Sequence, residues 1–184
     1  MSADAIAETE AITPWLQPAK RDVLRLLTNI VDDLDPYRKL YFVLTGGGIE
    51  LADIAKIPGA SKCLYGIEIP YHKELTASRF SSVSAEQCMF LAERLLSSGK
   101  VPANVDVIIV TAALTTNRYR KGDTHAYVYI NGKIWHIQLP KLSEQDHKFA
   151  SIFHGIQNIR MIEDNILSYR VAELIDEHLV VRGV

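Results

Sequence analysis

The residues with the strongest claim to chemistry lie in the run Thr45-Gly46-Gly47-Gly48, between the apolar stretch "KLYFVL" (39–44) and "IELADIAKI" (49–57). A strand that passes through glycines into a helix lets bare backbone N–H groups converge at the helix start, an arrangement suited to an anion such as phosphate. The Thr45 hydroxyl adds a further donor. The same glycines also serve as a plain turn that lets helix and strand pack closely. The run is neither a P-loop lysine motif nor a dinucleotide fingerprint.

Six histidines follow along the chain, His72, His125, His136, His147, His154 and His178, and none forms an H-x-x-x-H or similar ligand pair. If the turn at Asn131-Gly132 is two residues long, Tyr127 faces His136 across a hairpin, with His125 one step along the same face. That stretch holds no carboxylate or cysteine to complete a ligand set, so packed or surface histidines are expected and no metal. Cys63 falls on a predicted strand and Cys88 on a predicted buried helix face, where free thiols act as small hydrophobes. Lys62 adjoins Cys63 but should point to the other sheet face, so it does little to activate that thiol. The one basic cluster is "NRYRKGD" (117–123), with Arg118, Arg120 and Lys121 around Tyr119. It suits a clamp for phosphate or an acidic partner, and equally a solvated loop.

The whole chain sets bounds on these sites. Its 184 residues are enough for one domain with a real core, and 48% apolar with 23% charged is ordinary globular composition. A net charge of −2 argues against a general nucleic-acid binder. No apolar run approaches the roughly 20 residues that cross a bilayer, so no membrane role is expected. The acidic start "MSADAIAETEAITPW" lacks the parts of a secretory signal, and two cysteines make no disulfide framework, so a cytoplasmic setting is expected.

The elements that must hold the candidates can be placed by pattern. Residues 1–12 read as a loose tail, with Thr13-Pro14 able to start a short helical turn; the division expected is a tail over 1–19 and one domain over 20–184. Val23, Leu26, Leu27, Ile30, Val31 and Leu34 recur at helical spacing until Asp35-Pro36. "KLYFVL" and "CLYGIEI" (63–69) suit strands, with a brief helix between them closed by Pro58-Gly59. Ser84 and Gln87 have the spacing of a capping box, and Cys88, Leu91, Ala92, Leu95 and Leu96 form the buried face of the helix they open. "VDVIIVTAA" (105–113) is the most strand-like run and is expected to be central. "AYVYINGKIWHI" (126–137) is a hairpin, and 151–179 is mostly helical with Ile159, Ile162, Ile166, Val171, Leu174 and Ile175 inward. Helices alternating with strands, with one hairpin, predict a layered α/β domain with a mixed sheet.

In this order the segments resemble the C-terminal domain family of CinA, the competence/damage-inducible proteins, whose stand-alone members are nicotinamide-mononucleotide amidases. That family reads A-E-S-C-T-G-G, P-G-A-S, Y-S-N-E-x-K, V-S-x-E, T-G-x-A-G-P with a G-T-V-Y-I strand, then G-D-R. Here the matching segments are "YFVLTGG" (41–47), "PGAS" (58–61), "YHKELT" (71–76), "VSAE" (83–86), "TAALTT" (111–116), "HAYVYI" (125–130) and "FHGIQNIR" (153–160). The resemblance spans residues 20–180. It implies a three-layer α/β/α sandwich with a mixed sheet, a homodimer, a pocket for a mononucleotide or phosphate ligand, and no cofactor. In active members a serine attacks the carboxamide and a basic group takes its proton.

The carry-over is uneven. Thr45, Gly46 and Gly47 match the loop, Tyr71 and Glu74 match the tyrosine segment, and Thr111 matches the opening threonine of T-G-x-A-G-P. With Gly48 from the turn, the ligand-binding set expected is Thr45, Gly46, Gly47, Gly48, Tyr71 and Thr111. The nucleophilic serine, however, falls on Val43, the lysine on Thr76 and the glutamate of A-E-S on Phe42. The glycines after Thr111 become Ala112 and Thr115, and the arginine of G-D-R falls on Gln157 unless Arg160 takes its place. Three readings follow. One is a degenerate amidase that binds a nucleotide or phosphate, or acts in assembly. Another is an amidohydrolase with a rearranged site built on Thr45, Lys73 and Tyr71. The last is a structural dimerisation partner, of itself or of an active relative.

Overall fold

In the computed structural model, which describes residues 8–12 and 20–182, the apolar stripe after Lys20 becomes helix α1 (Lys20–Asp33), with Val23, Leu27, Ile30 and Val31 buried. The next run forms strand β2 (Lys39–Thr45), buried from Leu40 to Leu44, as a strand covered on both faces requires. The segment after the glycines is helical but tightened to a 3-10 form over Ile49–Lys56, and a second short 3-10 turn spans Ala60–Lys62. Strand β3 (Leu64–Glu68) and the four-residue helix α2 (Lys73–Thr76) follow. Helix α3 (Ala85–Ser97) starts where predicted, the Ser84 hydroxyl accepting the Gln87 N–H at 3.1 Å. Leu96, expected inward, is exposed on it.

Strand β4 (Val105–Ala113) is buried along almost its whole length. Strands β5 (His125–Ile130) and β6 (Lys133–Gln138) form the hairpin with Asn131 and Gly132 at its tip, both at positive φ. The two-residue turn fixes Tyr127 opposite His136, as its length demands. The C-terminal region divides into α4 (Glu144–Ile152) and α5 (Ile156–Leu179). Ile166, Val171, Leu174 and Ile175 point inward as expected, but Ile162 is exposed. The tail expected before residue 20 instead contributes strand β1 (Glu8–Ala11), laid parallel on the edge of β6. Thr13-Pro14 lies outside the described residues.

The strands form one sheet in the order β1-β6-β5-β4-β2-β3. β2 runs parallel to β3 and β4, and β5 runs antiparallel to β4 and β6, so the sheet is mixed. The alternation of side chains divides the core. Leu40, Phe42, Leu44, Ile108 and Val110 pack beneath α1 and α5. Tyr41, Val43, Val107 and Ile109 pack against Cys88, Leu91 and Ala92 of α3. The result is the three-layer α/β/α sandwich. Parallel β2, β3 and β4 end on one side of the sheet, where open α/β sheets place their ligands.

Candidate functional site: a filled glycine turn

The candidate site lies at the end of β2, and the glycines there are held by close packing. Gly46 has φ 75°, and a Cβ on it would stand 2.1 Å from the Ala112 carbonyl oxygen. A Cβ on Gly47 would lie 2.9 Å from both the Ala112 and Leu114 side chains. The turn therefore presses against the end of β4, and side chains from that strand and the loop after it fill the space beside it.

The anion-binding geometry is present, and the chain fills it with its own carboxylate. Past Gly48, the N–H groups of Ile49 and Glu50 each donate to Asp164 of α5, at 3.1 Å to Oδ1 and 3.1 Å to Oδ2 respectively. Two successive amides at a helix start, bonded to the two oxygens of one carboxylate, form the pattern that would greet a phosphate. Neighbouring residues of α5 clamp the same region. Arg160 donates to the carbonyls of Gly46 (3.0 Å) and Thr115 (2.9 Å), and Asn165 donates to the Glu50 carboxylate at 2.8 Å. Glu163, itself buried, accepts both the Thr115 N–H and its hydroxyl at 2.7 Å. Burial pushes its carboxyl above the ordinary value, against the pull of those bonds and of the Arg160 and Arg120 charges. Of the two positions left open for the G-D-R arginine, Arg160 reaches the glycine turn. Gln157 lines a separate groove of 360 Å³ with Asn117, Ser151, His154 and Ile156.

The position of the expected nucleophile is apolar. Val43 is 3% exposed and packs in the cluster beneath α3. It also lines a 200 Å³ cavity with Glu68, Leu91, Arg94, Leu95, Ser98 and Lys100. The charged groups there are engaged: Lys100 pairs with Glu68, Tyr41 donates to Glu68 at 2.6 Å, and Arg94 donates to the Leu75 carbonyl at 2.6 Å. Burial raises Glu68, but the bonds from Lys100 and Tyr41 outweigh it and leave its carboxyl below the ordinary value.

The remaining predicted residues do not converge. Thr111 is fully buried with its hydroxyl 3.5 Å from Cys88 Sγ. Burial pushes that thiol up to about 12, so Cys88 is inert at neutral pH. The Thr45 hydroxyl donates to the Val110 carbonyl at 3.2 Å. Tyr71 is 70% exposed and Lys73 is exposed on α2, and among the described residues no hydrogen bond links either to Thr45. Thr76 offers its carbonyl to Gln87 at 2.8 Å. Sequence reasoning missed Asp164, Glu163 and the glycine contacts of Arg160. They share the inward face of α5 with the fully buried Leu167 and Val171, so an apolar stripe alone did not mark them.

Fold and site together define a three-layer α/β protein with a mixed sheet and an internally occupied glycine turn. This is the CinA-like fold. The competence/damage-inducible protein CihA of Agrobacterium tumefaciens superposes with a TM-score of 0.50, at 15% identity, over 84% of this chain and 98% of that one. A competence-damaged protein (CinA) superfamily protein of Klebsiella pneumoniae gives 0.50 at 10% identity, over 86% and 99%. No family model matches the sequence, and no curated protein matches it. Among the described residues, no helix is long and apolar enough to cross a membrane.

Proposed function

We propose that this chain is a CinA-like module without amide hydrolysis, acting through assembly with a second copy of itself. The observation that carries the reading is Val43, a buried valine where the resemblance places the serine nucleophile. Its side chain has no lone pair to attack with and no proton to give up. Loss of a nucleophile together with its base, here Thr76, lowers rates on the order of 10⁶-fold. Of the two non-catalytic roles, ligand binding and assembly, the placement of Asp164 favours assembly. A phosphate at the turn would have to displace a carboxylate already bonded to Ile49 and Glu50.

Apolar exposure supports the assembly role. Phe149, Ile152, Phe153 and Met161 each leave more than half their surface in water, and Ile162 leaves nearly as much. All five lie within residues 149–162, and the Phe149 and Phe153 rings touch at 4.7 Å between centroids, exposure of the kind that marks an interaction surface. A twofold contact would bury the same apolar residues on both copies at once.

The test has three parts on one purified sample. Nicotinamide mononucleotide should release no ammonia, millimolar mononucleotides should leave Tm unchanged, and light scattering should report a dimer. Ammonia release overturns the loss of hydrolysis. A ligand-dependent rise in Tm overturns the preference for assembly over binding, since a ligand of the folded state stabilises it. A monomer at all accessible concentrations removes self-assembly.

A further inference from the structure

Strand β1 is attached to the sheet almost wholly by polar contacts, and none of its four residues is buried. Glu8, Thr9, Glu10 and Ala11 align with Trp135, His136, Ile137 and Gln138 of β6. The Ile12 N–H then donates to the Gln138 carbonyl at 2.9 Å. The Thr9 hydroxyl lies 3.4 Å from His136 Nδ1. Glu10 takes Arg170 of α5 as a fork, with Nε donating to Oε1 at 2.5 Å and Nη2 to Oε2 at 3.1 Å. Ile12, half-buried, is the apolar residue of this segment that packs against the main core.

The seat outlasts its occupant. β6 is held without β1, by its register with β5 and by the buried side chains of Ile134, Trp135 and Ile137. Arg170 keeps Glu173 at 3.6 Å and Glu177 at 3.4 Å, so departure of Glu10 strands no cation. An edge element with so little buried apolar surface opens at a free energy far below that of the core. What remains is an open strand edge with a guanidinium fork behind it, the arrangement by which a sheet accepts an extended segment. It reads a hydroxyl at the Thr9 position, a carboxylate at the next, and an aliphatic side chain at the Ile12 position.

We propose that the edge of β6 over 135–138, together with Arg170, is a docking site for residues 9–12 of a second copy, so that assembled chains exchange β1. The strand docked in cis identifies the occupant. A second copy carries the same Thr9-Glu10-Ala11-Ile12 segment and makes the same contacts, with none added or lost.

Seven residues, 13–19, join this segment to α1. In an isolated chain so short a connection keeps the cis strand at an effective concentration that free chains do not reach. Contact between two copies removes that advantage. The inference therefore rests on the assembly reading for the encounter, and adds to it which residues pass between the copies.

The test uses full-length chains. One batch carries Thr9→Cys and another His136→Cys; the two are unfolded together, refolded under reduction and then mildly oxidised, with light scattering recorded before oxidation. The native thiols are buried and do not compete. A covalent pair of chains should form, and random pairing places at most about half of the chains in it. Thr9→Cys mixed with Tyr37→Cys, an exposed site on another loop, should give no pair above background. Thr9→Cys/His136→Cys in one chain, refolded at high dilution, should close the same bond internally, which shows that both substitutions preserve the seat. On the native sequence, isotope-labelled and unlabelled chains refolded together should show intermolecular NOEs from Thr9 or Glu10 to His136 or Ile137. A dimer without the cross-link or the NOEs overturns the exchange and leaves assembly standing. A monomer without them overturns both. Equal yields with His136→Cys and Tyr37→Cys overturn the exchange as well.

Discussion

Asp164 Oδ2 accepts the backbone N–H of Glu50 at 3.1 Å, across 114 positions of sequence. Its other oxygen takes the Ile49 N–H at the same distance, so α5 brings an internal anion to the turn that the sequence marks as an anion site. Hydrogen bonds to a charged acceptor contribute more than neutral ones, and a helix start favours negative charge. The consequences are measurable.

Asp164→Ala should lower stability by about 2–4 kcal/mol, because two buried-side amides lose a charged acceptor. Inorganic phosphate at tens of millimolar should then raise the variant's Tm more than that of the native chain. Urea titration and thermal melts read both effects. An equal phosphate response in the two proteins removes the idea that Asp164 stands in for a ligand.

Gly46→Ala should destabilise by about 3 kcal/mol or more, because it adds a clash with the Ala112 carbonyl to an unfavourable φ of 75°. Gly99 provides the control. Its φ is 71° with nothing within 4 Å, so Gly99→Ala should show the backbone strain alone, about 1 kcal/mol. Similar losses at both sites would mean that the turn is not pressed against β4.

Val43→Ser restores the residue type expected of a nucleophile but not its setting. It should cost about 1–3 kcal/mol, as a hydroxyl enters an apolar cluster, and should release no ammonia from nicotinamide mononucleotide. Turnover by this variant would show that a base survives near the strand end.

Glu163 makes stability depend on pH in a defined direction. Its folded pKa lies above the unfolded value, so its contribution is full below about pH 4.3 and is lost as pH rises through the folded pKa. Glu163→Gln keeps an acceptor for the Thr115 N–H and has no charge to desolvate. Relative to the native chain, its urea midpoint should therefore rise as pH climbs from about 4.3 through the raised folded pKa, and then level off. A difference that shrinks over that range contradicts the assigned cause.

Both thiols are buried and raised by burial, Cys88 up to about 12. A disulfide reagent at pH 8 should label neither in the folded chain and both in urea, with the labelling rate following the unfolding transition.

The legible parts of this fold were those written in local chemistry. Ser84 and Gln87 announced α3, and Asn131-Gly132 fixed a register that placed Tyr127 opposite His136. The buried strands β2 and β4 showed as unbroken apolar runs because both faces are covered. Strand β1 escaped because "ETEA" has no apolar alternation and is held by pairing at an edge. Ile162 read as inward from spacing, yet α5 turns that side to water in its first half. The glycine turn was found, but not its occupant. A carboxylate more than 110 positions away leaves no periodic trace, and only the packing of α5 across the loops brings it there.

Among the described residues the backbone of strand β1 pairs with β6, and its Glu10 grips Arg170 of α5 through both carboxylate oxygens, a contact spanning 160 positions. On the ribosome, the earliest of the six strands to be made therefore waits for the latest parts of the chain before it has a berth. The core around α1, β2 and β4 can form while β1 is still free, and closure of the N-terminal edge comes as a separate late event limited by loop entropy. Until that moment β6 is an open sheet edge. The brief β1 strand thus also guards against mispairing with a neighbouring nascent chain.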